Sequence, residues 1–200
     1  MDIVPMIWPS VDRGAIAHLL DEVGDEGRLN TVMDLGKREL AALYEACADN
    51  EPLTLADLVP EETPPMTEVV HEGKNSLTLF NRFQKRFCRA AAKADELYGY
   101  NEQTMKVLTG PGYFVAHARA EGGVLVDYRR LPDDRPRQWP PIISNHARLG
   151  RFVYAGMVDV LRRVSRGVSI GRAFRGDRPM DAWFVLVRRT TVEKSNAHGH

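Results

Sequence analysis

Charge is segregated along this chain in a way that limits how it can fold: residues 1–72 hold 16 acids against 4 bases, and residues 73–200 hold 11 acids against 23 bases. The totals balance at 27 each. Such a chain either docks its acidic part onto its basic part, within one molecule or between subunits, or turns the basic part toward an anionic partner.

With 200 residues, 44% of them hydrophobic and 27% charged, a sizeable core is available, and disorder and a membrane location are both disfavoured. The apolar run in the first nine residues is too short for a secretory signal and has no basic segment before it, so the cytoplasm is the expected compartment. Cys47 and Cys88 lie 41 residues apart. That spacing encodes neither a disulfide framework nor a Cys-x-x-Cys metal site, and both read as packing residues.

Helical spacing marks Val11 to Val23, with Ser10 as its cap, and Asn30 to Ala48. Together they predict an acidic helical hairpin over 1–50, followed by a Pro- and acid-rich linker over 51–72. A third helix is predicted over 76–98, because Phe80, Phe83, Phe87, Ala91, Ala94 and Tyr98 fall on one arc. Strand patterns follow at 112–118 and 124–130, with a further one at 104–108, then a helix over 148–164, then a hairpin of 168–174 with 182–188. The expected fold is therefore α+β: an N-terminal helical segment, then an antiparallel ββ-α-ββ sheet of four to five strands with one packed helix, forming a basic domain over 73–190, and a disordered tail over 191–200.

Candidate chemistry is sparse. On the predicted helix 76–98, Arg82, Lys85, Arg86, Arg89 and Lys93 gather opposite the aromatic arc and could hold phosphates or carboxylates, or simply face solvent. His71 to Ser76 leads into that helix, and Lys74 beside backbone amides would make an anion seat, although Asn75 or Ser76 as a helix cap accounts for the same residues. Alternation puts His117 and Arg172 on apolar strand faces. If those faces line a cavity, His117, Tyr128, Arg172 and Asp181 converge on a ligand; if not, His117 and Arg172 are strand-end residues reaching water, and a buried Arg172 requires an acidic partner, for which Asp181 is placed. Ser144-Asn145-His146 reads as a cap, and His198 with His200 is an incomplete metal site.

No paired-carboxylate, His-Glu-x-x-His, Gly-x-Ser-x-Gly or dinucleotide glycine motif is present, and neither a cofactor nor a metal is implied. Three functions remain in order. The first is binding of an anionic small molecule, carboxylated or phosphorylated, with cofactor-free catalysis left open. The second is a protein-interaction or self-assembly module that uses the two charged parts. The third is nucleic-acid binding, against which the neutral total and the acidic arm count.

Overall fold

The computed structural model describes residues 1–77, 81–103, 110–145 and 154–190. Helices α1 (Arg13–Glu22), α2 (Asp25–Met33), α3 (Lys37–Ala46) and the single turn α4 (Leu55–Leu58) precede strands β1 (Val69–Asn75), β2 (Arg82–Arg89), β3 (Leu97–Glu102), β4 (Tyr113–Ala118), β5 (Val124–Asp127), β6 (Met157–Ser165), β7 (Val168–Arg175) and β8 (Arg178–Arg188). Each strand pairs antiparallel with the next, and β8 returns to β1, so the eight strands close into a barrel. Closure leaves no unpaired sheet edge.

This overturns the expected α+β sheet of four to five strands with one packed helix. The described residues of 76–98 hold no basic amphipathic helix: they contain β2 and the start of β3. Phe83 and Phe87, four apart, satisfy one face of a helix and one face of a strand equally well. Pairing with distant residues decides between them, through Phe87 opposite Val69 on one side and Gly99 on the other. Likewise, in the predicted helix 148–164, a turn over 154–156 leads into β6 from Met157, and the 148–153 portion lies outside the described residues. The strands at 112–118, 124–130, 168–174 and 182–188 correspond to β4, β5, β7 and β8. The strand expected at 104–108 and the tail expected over 191–200 lie outside the described residues.

At the N-terminus, α1 is capped by Asp12, whose Oδ1 accepts from Ala15 N at 3.0 Å, in place of Ser10. The predicted second helix is divided into α2 and α3 at Asp34-Leu35-Gly36. Residues 51–72 contain α4, closed by a capping box between Thr54 and Asp57, and the beginning of β1.

The barrel interior is filled by a repeated device. Gly73, Gly99 and Gly171 point inward opposite Phe83, Phe114 and Phe184 on the neighbouring strands. The outer edge of each ring reaches over its glycine, so that a Cβ there would fall 2.7, 2.3 and 2.3 Å from ring carbons. Glycine in a strand marks such a close approach, and the ring replaces the packing that the missing side chain would have supplied. Phe87, Leu97, Ala116, Val126, Leu161 and Leu186 complete this core.

Outside, α1 to α3 bury Ile16, Leu20, Leu40 and Leu43 against Val164, Ile170, Val185 and Val187 of β6 to β8. The opposite wall is covered by a strap over 131–142, whose Trp139 ring sits 5.0 Å from Tyr100 and 6.4 Å from Tyr113. The charge division is resolved in the same chain. Glu45 pairs with Arg172 (3.1 Å) and Arg162 (3.8 Å), Glu26 with Arg189 (2.5 Å), Asp57 with Arg163 (2.5 Å) and Glu68 with Arg86 (2.8 Å). Each partly exposed pair adds little stability by itself, but together they select which face the helices cover.

Candidate functional site

Inside the barrel lies a polar cluster that apolar packing alone would not require. Lys85 of β2 points inward and is 2% exposed; Asp159 of β6, across the lumen, is 3% exposed. Their Nζ and Oδ2 are 3.1 Å apart. Lys85 Nζ also donates to Asn101 Oδ1 at 3.0 Å and to the Tyr128 hydroxyl. That hydroxyl in turn accepts from Asn101 Nδ2 at 3.0 Å and donates to Asp159 Oδ2 at 3.1 Å. All three donors of the ammonium are therefore used.

Aromatic rings wall the cluster. The rings of Phe83, Phe114, Tyr128 and Phe184 have centroids 5.7, 5.1, 5.0 and 5.0 Å from Lys85 Nζ, within reach of cation–π attraction. Burial draws the Lys85 ammonium below the ordinary lysine value, against the opposing pull of Asp159. Burial and the neighbouring Asp159 raise the Tyr128 phenol well above its usual value, so it keeps its proton.

Position along the strands places the cluster toward one end. Asn101 is the penultimate residue of β3, Asp159 is the third of β6, and Tyr128 follows β5 directly. Tyr154 lies over Tyr128 as a stacked ring, 5.3 Å between centroids and 22° between planes, and accepts from Gln103 Nε2 at 2.6 Å. Gly112 makes room for it, since a Cβ there would meet that ring at 2.5 Å. Asn145 ties the same end together: its Nδ2 donates to Tyr113 O and Tyr128 O, each at 2.7 Å, so it bridges β4 and the end of β5, while the residues that it was expected to cap lie outside the described ones.

Of the residues singled out from sequence, Tyr128 and Lys85 belong to this cluster, Lys85 having been expected on the outward stripe of a helix. Lys74 faces outward and donates to Leu35 O at 2.6 Å. Arg82 borders an open surface groove of about 420 Å³ with Leu29, Met33 and Glu72. Arg86 is held outside by Glu68 and Gln84, whereas Arg89 donates to Val59 O (2.8 Å) and Pro60 O (3.1 Å). His117 lies outside on β4, with Nδ1 3.1 Å from Ala118 O. Arg172 is engaged by Glu45 and stacks over Trp183 at 4.9 Å, and Asp181 pairs with Lys37, so the two do not pair with each other. The apolar strand faces that carry His117 and Arg172 are outer faces, roofed by the strap and the helices.

Asn101 and Asp159 are not among the residues that the sequence reading puts at an anion site, and Lys85 is there only as part of an outward-facing basic stripe. The available signal was Phe83-x-Lys85-x-Phe87, a lysine on the apolar side of an alternating run, which the helical assignment turned outward. The basic stripe is likewise divided, with Arg82 and Arg86 outside, Lys85 inside and Lys93 in the β2–β3 connection.

On the neighbouring strand, in register with Lys85, His71 is buried against Phe87 with ring centroids 5.0 Å apart, and its Nε2 donates to Leu58 O at 2.9 Å. Nδ1 has no partner among the described residues. Burial lowers its pKa from 6.5 to about 4, with Arg188 and Lys85 pushing the same way and the Leu58 carbonyl opposing. The unfolded chain then binds a proton at higher pH than the folded one. Stability from this group is complete above about pH 6.5 and is lost as pH falls toward 4, by roughly 3 kcal/mol. Urea titrations across that window are expected to show His71→Gln losing less stability than the native chain by about this amount; parallel pH profiles would contradict it.

Burial pushes the Cys47 thiol up to about 11 and Cys88 up to about 12, so both remain protonated near neutrality. Among the described residues no three His, Cys, Asp or Glu side chains cluster to hold a metal ion, and no helix is long and apolar enough to cross a membrane. No protein-family model, curated protein or solved structure matches this chain.

Proposed function

We propose that the protein binds a small carboxylated molecule with an aromatic or apolar body inside the barrel, with the carboxyl group meeting Lys85. The observation that carries this reading is a lysine 2% exposed, aimed into an aromatic-walled lumen and held by Asp159, Tyr128 and Asn101. Eight-stranded barrels are just wide enough either to be filled by side chains or to hold one small ligand. A filled lumen needs no charge, because hydrophobic residues of similar volume serve stability as well or better. Convergent polar groups with displaced protonation equilibria in an apolar setting support a site.

The chemistry narrows the anion. A phosphoryl dianion would bring two charges to one ammonium that Asp159 already neutralises, deep in a region where uncompensated charge is costly. A carboxyl group can share one proton with Asp159, as neighbouring carboxyls do.

Matched probes test this: 2-naphthoate, 2-methylnaphthalene and 2-naphthyl phosphate, each followed by thermal unfolding and intrinsic fluorescence. The carboxylate is expected to raise the unfolding midpoint, with stabilisation approaching about 2.7 kcal/mol at a hundredfold excess over its dissociation constant. Equal shifts from the methyl compound would remove Lys85 from the contact. No shift from any of the three would refute the reading.

A further inference from the structure

We infer that the rim of the barrel carries a separate anion site for a small phosphomonoester, built by Arg119, Arg162 and Arg163. It goes beyond the reading of the lumen and does not rest on it.

The strand register creates the site. Val124, the first residue of β5, pairs with Leu161, so Arg162 and Arg163 of β6 run past the end of that pairing. Arg119 directly follows β4, and its N donates to Gly123 O at 3.0 Å, which closes the β4–β5 turn. Gly122 and Gly123 take positive φ at the tip, and the tip stands against Pro52, which a Cβ on Gly122 would meet at 3.5 Å. Between this turn, β6 and the segment 47–53 lies a cleft of about 220 Å³, lined by the three arginines, Glu51, Glu121 and the apolar Leu53.

The guanidiniums are recessed and the competing carboxylates are not. Side chains of Arg119, Arg162 and Arg163 are 29%, 24% and 23% exposed, against 74% for Glu51 and 73% for Glu121. Arg162 is fixed by donating to Tyr44 O at 2.7 Å and by lying 3.9 Å over the Tyr44 ring. Arg163 is fixed by Asp57 at 2.5 Å, and Asn50 donates to its carbonyl at 3.1 Å. By contrast, Glu51 reaches Arg163 at 3.3 Å and Glu121 reaches Arg119 at 3.4 Å from positions in water. Pairs to such exposed carboxylates are worth little, so an entering anion displaces them at small cost. Arg163 Nε is moreover buried with no acceptor among the described residues, which leaves one donor of a cleft-lining guanidinium unspent.

The chemistry selects the ligand. Guanidinium forks match phosphoryl oxygens in bidentate fashion, and three of them balance a dianion that the single ammonium of the lumen does not suit. Drug-sized ligands occupy pockets of roughly 300–1,000 Å³, so a cleft of about 220 Å³ limits the body beyond the phosphoryl group to a few carbon atoms. A recess walled by the turn, β6 and the 47–53 segment admits a terminal phosphoryl group more readily than the continuous diester backbone of a nucleic acid.

The test is titration of the full chain with glycerol 3-phosphate, dimethyl phosphate and glycerol, read by calorimetry and by the thermal unfolding midpoint. Glycerol 3-phosphate is expected to bind, and the diester and glycerol are not. In Arg119→Gln, whose native side chain pairs only with the exposed Glu121 among the described residues, circular dichroism should show an unchanged fold and the dissociation constant should rise about tenfold or more. Glu121→Gln removes the competitor of the ligand and should tighten binding by up to about fivefold, a gain that a purely structural arginine would not give. Binding of glycerol 3-phosphate by neither readout would overturn the inference. Dimethyl phosphate binding as tightly as the monoester would overturn the ligand class, and an affinity unchanged in both variants would overturn the site.

Discussion

Lys85→Met is expected to cost about 3–5 kcal/mol of unfolding free energy, and adding Asp159→Leu to recover most or all of that loss. The single substitution leaves Asp159, 3% exposed, without its cation, and leaves Tyr128 and Asn101 with fewer partners than their polar atoms require. The double substitution removes the charge on both strands and offers the rings of Phe114, Phe184 and Tyr128 an apolar neighbour. Urea unfolding of the native chain and the two variants measures this directly. A Lys85→Met cost below about 1 kcal/mol would be the range of an exposed ion pair and would mean that the ammonium is not held in the lumen.

Gly171→Ala and Gly99→Ala form a second pair of expected results, each destabilising by about 1–3 kcal/mol or more through overpacking. Their causes differ, and the difference can be measured. At Gly171 the nearest atoms to a new Cβ are ring carbons of Phe184, at 2.3, 2.6 and 2.8 Å. Trimming that ring in a Phe184→Leu background should therefore remove most of the cost of Gly171→Ala, visible as a coupling in a double-mutant cycle. At Gly99 the Phe114 ring lies at 2.3 Å, but the Arg86 carbonyl oxygen lies at 2.5 Å, and that is backbone fixed in the β2–β3 ladder. Phe114→Leu should relieve Gly99→Ala only in part. Equal and complete relief at both positions would mean that the β2 backbone yields, and that the barrel is less tightly set than its register indicates.

How much of this could be read in the residues depends on the range of the interaction. The β4–β5 and β7–β8 hairpins were legible because alternation and a glycine turn are local signals, with Gly122-Gly123 and Gly176 at the bends. The β2 strand was not, because Phe83 and Phe87 suit either period and only pairing with β1 and β3 discriminates. Closure of the sheet was invisible for the same reason: β1 and β8 meet across more than a hundred residues. Docking of the acidic segment onto the basic one was among the alternatives that the charge division raised, and Glu26, Glu45, Asp57 and Glu68 are where it occurs. Within the cluster, Tyr128 was legible as a polar group ending an apolar strand. Asp159 sat in a run that read as helical, and the importance of Lys85 follows from its neighbours across the lumen more than from its neighbours in sequence.

The most direct measurement is the 2-naphthoate titration repeated on Lys85→Met/Asp159→Leu, with unfolding midpoints read beside those of the native chain. A stabilisation in the native chain that disappears in this folded variant is the predicted result and places the carboxyl group at Lys85. An equal stabilisation in both proteins would mean that the ligand binds elsewhere, and that the buried pair serves the barrel alone.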